Sequence, residues 1–308
     1  MTAAGWPSVT AVVPTADRPF ELRRALASIF AQDYPGVLTC VVVFDGAEPF
    51  DLSDVPTPVE QDSLVVTRNA RTPGRAGARN TGVDASFSDL VAFCDDGDEW
   101  VAGKLSAQVE ALHAGEDARV ALSGVEYWRD GVRTPVVPTA ISVTDEDLCR
   151  ARVPELHAST VLVDREAFET AIGPFDEACP GDYGLTYEWL LRASAPAPMV
   201  VVRDPLVRIH QEAEPGWDGR WQAIVDGVPY LLGVRPELRR CRQLLSRLER
   251  SMAFAHAAGG RARDGVPWAL RSLWHSPGEK GSYLAVAASA GLVRPAVIER
   301  WASRSTVA

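Results

Sequence analysis

Two rhythms of apolar and polar positions alternate along the early part of this chain. "SVTAVVPT" (Ser8 to Thr15) is an apolar run of strand length. "FELRRALASIFAQ" follows, with Leu22, Ala25, Leu26, Ile29 and Phe30 on one helical stripe. "LTCVVVF" and "SLVVT" are two further strands, the first ended by Asp45-Gly46. "GRAGARNTGVDAS" is glycine-rich and then helical. "LVAFC" is a fourth strand, and "VAGKLSAQVEAL" spaces Val101, Leu105, Val109 and Leu112 as a helix does. Strands that alternate with helices predict an α/β fold, a mostly parallel sheet with helices on both faces.

Beyond about residue 115 the rhythm loosens. "VALSGVEYWRDGVRTPVVP" reads as strands around the turn Asp130-Gly131. "ELHASTVLVDREAFETAIGPFDEACPGDYGLTYEWLLRAS" holds a strand, a short helix, an irregular loop and a helix. "PMVVVRDPLVRIHQ" is extended. From Pro236 the chain reads as helices resembling one degenerate hairpin repeat. A single copy does not make a solenoid, so this region is expected to be a C-terminal helical cap or partner surface.

Composition narrows the class. The 308 residues are 46% hydrophobic and 23% charged, ordinary for a globular chain with a real core. No apolar run reaches the roughly 18 residues of a membrane span. "MTAAGWPSVT" has neither the basic start nor the apolar centre of a signal peptide. The five cysteines include no CxxC pair, which points to reduced thiols and a cytoplasmic location. The net charge of -10 is uneven. Residues 235–308 hold 13 Lys+Arg against 5 Asp+Glu, and residues 1–234 hold 18 against 36. The acidic part is a poor partner for nucleic acid. The basic end offers a solvated helical face, or a peripheral or protein contact.

Charged and hydroxyl groups then fall just past the strand ends, where such folds bind ligands. Pro14, Thr15 and Asp17 close the first strand, Asp45 the second, and Arg68 and Asn69 the third. The fourth runs into Asp95, Asp96, Asp98 and Glu99. Like charges that close repel, unless something positive binds. In an extended segment residues i and i+2 share a side, so Asp96 and Asp98 are expected to face one cation, with Asp95 turned toward a neighbouring ligand. Hard carboxylates suit Mg²⁺ or Mn²⁺ bridging to phosphates. The glycine and glutamate positions of a calcium EF-hand loop are not met. Neither GxGxxG nor GxxxxGK[ST] occurs.

"VVPTADRPFELRRALASIFAQDYP", "VVVFDG", "GRAGARNTG" and "LVAFCDDGDEWVAGKLSAQVEAL" resemble, in order and spacing, the family-2 glycosyltransferases of the GT-A fold. The resemblance continues through "ASTVLVDREAFETAIGPFDE" and "EWLLRAS" to "DPLVRIH", roughly residues 8–210. It implies a Rossmann-like GT-A sheet with a nucleotide-sugar-binding half (residues 1–115), an acceptor-binding half (116–234) and the helical cap (235–308). It implies an inverting, metal-dependent hexosyltransferase using a nucleotide diphosphate sugar. Thr15 and Asp45 then hold the base, and a carboxylate that can accept the imide N–H of uracil or thymine favours a UDP or dTDP donor. The family's usual pair there is Asp-Asp; this chain has Phe44-Asp45. Asp95 and Asp96 match the first pair of the acidic motif, on the ribose and metal sides, and Asp98 completes it. Arg79 and Asn80 shape the donor pocket, and His210 is a further metal or diphosphate ligand. His157 is read as structural and Trp100 as a packed wall. The acceptor stays open among polysaccharide, lipid-linked carrier, natural product and peptide.

One departure stands out. The resemblance expects Glu-Asp before "YEWLLR", the Asp being the base, and this chain has Leu185 and Thr186. A threonine hydroxyl is no base at neutral pH. Asp182 and Glu188 are the nearby acids. In a continuous helix Asp182 shares a face with Thr186, four residues on, so it is the candidate substitute, or else a helix N-cap. Glu188 is otherwise a solvated acid or a partner of Arg192. The alternative function is a glycosyltransferase-like protein that binds nucleotide sugar, or a partner, without transfer. A nucleotidyltransferase fits less, lacking its Gly-rich first loop.

Overall fold

The computed structural model describes residues 5–57, 63–115, 117–150, 157–211 and 220–293. In chain order the elements are β1 (Val9–Thr15), α1 (Pro19–Phe30), β2 (Leu38–Phe44), β3 (Leu64–Arg68), α2 (Arg75–Asp84), β4 (Leu90–Phe93), β5 (Asp98–Trp100) and α3 (Lys104–Ala114). Next come β6 (Val120–Arg129), β7 (Val132–Val136), β8 (Ser142–Val143), α4 (Asp145–Arg150), β9 (Leu162–Asp164) and α5 (Arg165–Ala167), which runs on into a π-turn. The rest are α6 (Leu185–Ser194), β10 (Met199–His210), α7 (Arg220–Val234), α8 (Arg242–Ala258), α9 (Ala262–His275) and α10 (Lys280–Ser289).

By contact density the chain divides into two units. The first comprises Met1–Asp145, Glu155–Glu177 and Trp189–Ala213 and contains the sheet, in the order β3-β2-β1-β4-β9-β6-β10-β5, with β7 beside β6 and β8 beside β10. The block β3-β2-β1-β4 is parallel throughout. All seven residues of β1 are buried, the expected state of a strand covered on both faces. Two glycines let α2 lie close. A Cβ on Gly82 would stand 2.2 Å from Val12 Cγ1, and one on Gly77 2.0 Å from the Thr72 carbonyl oxygen. Beyond β4 the directions mix, since β9 is antiparallel to both β4 and β6 while β10 runs parallel to β6. The core here is aromatic: Phe93 meets Phe175 edge-on at 5.1 Å, and Phe175 stacks on Trp189 at 5.1 Å.

The second unit comprises Glu146–Pro154, Ala178–Glu188 and Glu214–Ala308. Its helices α8, α9 and α10 meet mostly through small residues: Ala253, Ala257, Ala269, Ala285 and Ala288 form one buried cluster with Phe254, and Trp268 packs against it. Ser246, Ser272 and Ser282, one from each helix, are buried and joined by hydroxyl hydrogen bonds. α7 is the helix the sequence pattern did not single out; Arg220 to Val234 carries Pro229 inside it. Arg294, Arg300 and Arg304, part of the basic end counted above, fall outside the described residues. No described helix is long and apolar enough to cross a membrane.

Candidate functional site

The acidic stretch is a turn and not an extended segment. The Asp98 N–H donates to the Asp95 carbonyl at 3.0 Å, and β5 begins at Asp98. The two-residue rule therefore does not apply, and the expected pairing of Asp96 with Asp98 is replaced by a different one. Asp95 and Asp98 converge, and His157 joins them. One ligand atom from each of the three lies within 4.8 Å of the others. Asp96 instead accepts from Thr15 Oγ1 at 2.8 Å, with Arg18 Nη1 at 3.4 Å.

Each carboxylate is shaped by its surroundings. Burial alone pushes Asp95 up, but the charges of Arg79, His157 and Arg75 outweigh it and hold its carboxyl well below the usual carboxylate range. Arg79 is itself buried, donates to Asp95 Oδ1 at 2.6 Å and lies over the Phe175 ring at 5.3 Å. Burial pushes Asp98 up to about 6, against the pull of His157 and with the push of Asp95. Burial also raises Asp96, against its bond from Thr15. Ser159 ties the turn together: its hydroxyl donates to Asp98 Oδ2 at 2.5 Å and accepts the Asp95 N–H at 2.9 Å.

The donor set fits a hard divalent cation. His157 Nδ1 lies 3.2 Å from Asp98 Oδ2 and accepts the Ser159 N–H at 3.4 Å. Two lone-pair atoms that close need a proton or a cation between them. Asp95 Oδ2, on the side away from Arg79, is 4.0 Å from His157 Nε2.

The other named residues sort by their bonds. Asp45 accepts from Asn69 Nδ2 and from the Gly74 N–H, both at 2.8 Å. Pro14 and Thr15 end the buried β1, and Asp17 is exposed just past it. Arg68 is an exposed partner of Glu48. Asn80 is buried, bonding Phe175 through both N–H and carbonyl and donating to Glu177 at 2.8 Å. His210 bonds Glu99 through Nε2, and Arg24 Nε lies 3.1 Å from the same carboxylate. Trp100 is buried, as its wall-like reading expects.

Around the missing Glu-Asp pair the local geometry differs from a continuous helix. α6 begins at Leu185, and Asp182 sits before it in the turn Pro180–Asp182 with φ near +57°. Asp182 and Thr186 therefore do not share a helical face. Leu185 is buried. Glu188 is neither solvated nor paired with Arg192. It is buried, and Arg235 Nε and Nη2 donate to its Oε1 at 3.0 and 2.7 Å.

The part played by three residues escaped the sequence reading: Ser159, Arg75, and His157, which it took as structural and which instead converges with Asp95 and Asp98. The "HAST" stretch lies some sixty residues from the acidic turn, and only the sheet brings it there. Arg75 was in view within "GRAGARNTG" but had no carboxylate to be assigned to. Glu177 also emerges as a joint, bonded by Asn80, Arg71 and the Thr72 N–H.

The profile of glycosyl transferase family 2 matches residues 10–170, and the chain belongs to that family. Its fold is the GT-A fold. The structure of S. aureus TarS (residues 1–349, with UDP) superposes with a TM-score of 0.61, covering 97% of this chain and 92% of that one at 17% identity. The succinoglycan biosynthesis protein ExoW of Rhizobium meliloti (strain 1021) is 29% identical over 181 residues, 52% of this chain and 56% of ExoW. The Escherichia coli UDP-Glc:alpha-D-GlcNAc-diphosphoundecaprenol beta-1,3-glucosyltransferase WfaP is 26% identical over 165 residues, 53% of this chain and 61% of WfaP. The chain thus spans under two thirds of either curated relative's length.

Proposed function

We propose that this chain transfers a hexose, with inversion, from a UDP- or dTDP-sugar, in a reaction that depends on Mn²⁺ or Mg²⁺. The observation that carries this reading is the convergence of Asp95, Asp98 and His157 just past the end of the parallel strand β4. These three would hold the cation, which neutralises charge developing on the diphosphate leaving group. Asp96, oriented by Thr15, faces the ribose side. Asp45 receives the base: each of its oxygens accepts one internal bond and keeps lone-pair capacity for an imide N–H. Arg79 orients Asp95, and Asn80 shapes the donor side of the site by holding the Phe175 backbone and the Glu177 carboxylate. His210 enters the cation set only by leaving Glu99. Asp182 is the candidate base, taking the acceptor's proton as its oxygen attacks the anomeric carbon. WfaP's name, with its UDP-glucose donor and diphospho-lipid acceptor, supports a saccharide on a diphospho-lipid as acceptor here.

A second reading, nucleotide-sugar binding without transfer, is favoured by Leu185 and Thr186 at the base position and by the engagement of Glu188 with Arg235. The deciding experiment measures UDP released from UDP-sugars in Mn²⁺, with extracts as acceptor source. Turnover that Asp182→Asn lowers by about 10²-fold, with donor affinity kept, supports transfer through Asp182. Wild-type turnover left intact by Asp182→Asn removes Asp182 as the base. Donor binding without turnover, restored by Thr186→Asp, establishes the second reading.

A further inference from the structure

Helix α9 carries a stripe of large apolar residues on its outer face. A surface helix ordinarily buries its large apolar residues and leaves small or polar ones outside. Here the fully buried residues are Gly265, Ala269 and Ser272, with Trp268 half-buried against the same cluster. The outward ones include Val266, Leu270 and Trp274, which are 38%, 54% and 77% exposed. Their four-residue spacing puts them on one stripe along the helix. The inward choice has its own cause. A Cβ on Gly265 would stand 2.8 Å from the Ala253 carbonyl oxygen and 2.9 Å from Ser289 Oγ, so at that point α9 lies too close to its neighbours for a larger residue. That explains the small face, but it does not explain three large apolar side chains in water. An apolar stripe of this kind marks a surface that is covered in use.

The charges around the stripe select the cover. On α9 itself, helical spacing puts Arg263 within the stripe and Arg271 beside it, and both are exposed. The guanidinium of exposed Arg242 donates to the Trp274 carbonyl at 3.3 Å. Residues 235–293 carry nine Arg and one Lys against four Asp+Glu. The core of a protein interface is depleted of charge, and a symmetric second copy would set Arg263 and Arg271 against cations of the same sign. A lipid surface asks for the opposite: tryptophan and leucine at the acyl boundary, with arginines whose stems lie on apolar surface and whose heads reach anionic phosphates. We propose that the Val266–Leu270–Trp274 face of α9 docks on an anionic lipid bilayer. The proposal stands apart from the donor-site reading, since none of these residues belongs to that site.

The test is sedimentation of the full chain with vesicles of phosphatidylcholine alone, or of equal parts phosphatidylcholine and phosphatidylglycerol. The protein is expected to pellet with the anionic vesicles, and at least about ten-fold less with the neutral ones or in high salt. Leu270→Ser with Trp274→Ser should lower partitioning onto anionic vesicles by about ten-fold or more. Circular dichroism and the melting temperature check that this double variant is folded, and its Mn²⁺–UDP thermal shift should match the wild type. Arg263→Gln with Arg271→Gln should weaken anionic-vesicle binding several-fold while leaving Val266, Leu270 and Trp274 in place. Absence of pelleting with any vesicle overturns the proposal, as does pelleting that the folded serine variant retains. A dimer seen by light scattering that this variant dissociates, without vesicle binding, overturns it in favour of a second copy. Loss of UDP binding in the wild type would count against the donor reading alone.

Discussion

At the scale of single residues, His157 and Lys104 make the sharpest claims. His157 shares the space between Asp95 and Asp98. His157→Ala is expected to weaken Mn²⁺-dependent UDP binding by at least about ten-fold in calorimetry. UDP binding in chelator should stay the same. Asp96→Asn should cost less than Asp98→Asn, because Asp96 faces Thr15 and Arg18 rather than the convergent set; the reverse order restores the Asp96–Asp98 pairing. Lys104 is fully buried, with its ammonium bonded to Gln108 at 2.7 Å and 4.2 Å above the Trp100 ring centre. Burial pushes it down from 10.5 to about 7. Between those pH values the unfolded chain holds a proton that the folded one has released, so stability rises with pH through this window. Below pH about 7 both states are charged and the cost of burial is constant and fully present. At about 1.4 kcal/mol per pH unit, and discounted for the Trp100 contact, the span is about 3 to 5 kcal/mol. Lys104→Met removes the term. Urea unfolding of the two proteins should therefore give a stability difference largest near pH 7 and shrinking toward pH 10. A difference independent of pH would mean that Lys104 stays charged in the fold.

At the scale of elements, α2 and α6 are the informative ones. α2 can approach β1 and the Thr72 turn only where no Cβ intervenes. Gly77→Ala must displace backbone, and should lower stability by about 2 kcal/mol or more in a denaturant titration. The Gly-rich stretch was legible as the start of a helix, but its reason, backbone contact with Thr72, was not. α6 was legible too, yet its start was not. The chain before Leu185 takes left-handed turns at Gly181, Asp182 and Gly184, which break the face that Asp182 and Thr186 were expected to share. Glu188 reads as a surface acid because its partner Arg235 is 47 residues away. Glu188→Gln is expected to lower the melting temperature, by the equivalent of about 2 to 3 kcal/mol, because Arg235 loses its closer, buried carboxylate and keeps only the exposed Glu237 at 3.8 Å. UDP affinity should not change, and a variant that loses donor affinity while keeping its melting temperature would give Glu188 a direct part in the chemistry.

At the scale of the whole molecule, a ligand that binds only the folded chain stabilises it by mass action. UDP at about a hundred times its dissociation constant should add about 2.7 kcal/mol in Mn²⁺, read as a rise in melting temperature that chelator abolishes. An equal rise in chelator would remove the cation from donor binding. The alternation of strand and helix, the mostly parallel sheet, and the placing of Thr15, Asp45, Arg68 and Asp95 at strand ends were legible in the sequence alone, while the order β3-β2-β1-β4 was not. Hydrophobic periodicity is local, and a right-handed βαβ chain has few ways to bury it. The family motifs were equally legible, because their spacing is preserved within single loops. Tertiary structure alone decided which carboxylates converge. A two-residue rule holds only for extended backbone, and the Asp98-to-Asp95 hydrogen bond curls that segment. It alone brought His157 and Ser159 to the acidic turn, through β9's place between β4 and β6. It alone left Val266, Leu270 and Trp274 of α9 outward, because the helix meets α8 and α10 through Gly265, Ala269 and Ser272, and at Gly265 there is no room for a Cβ.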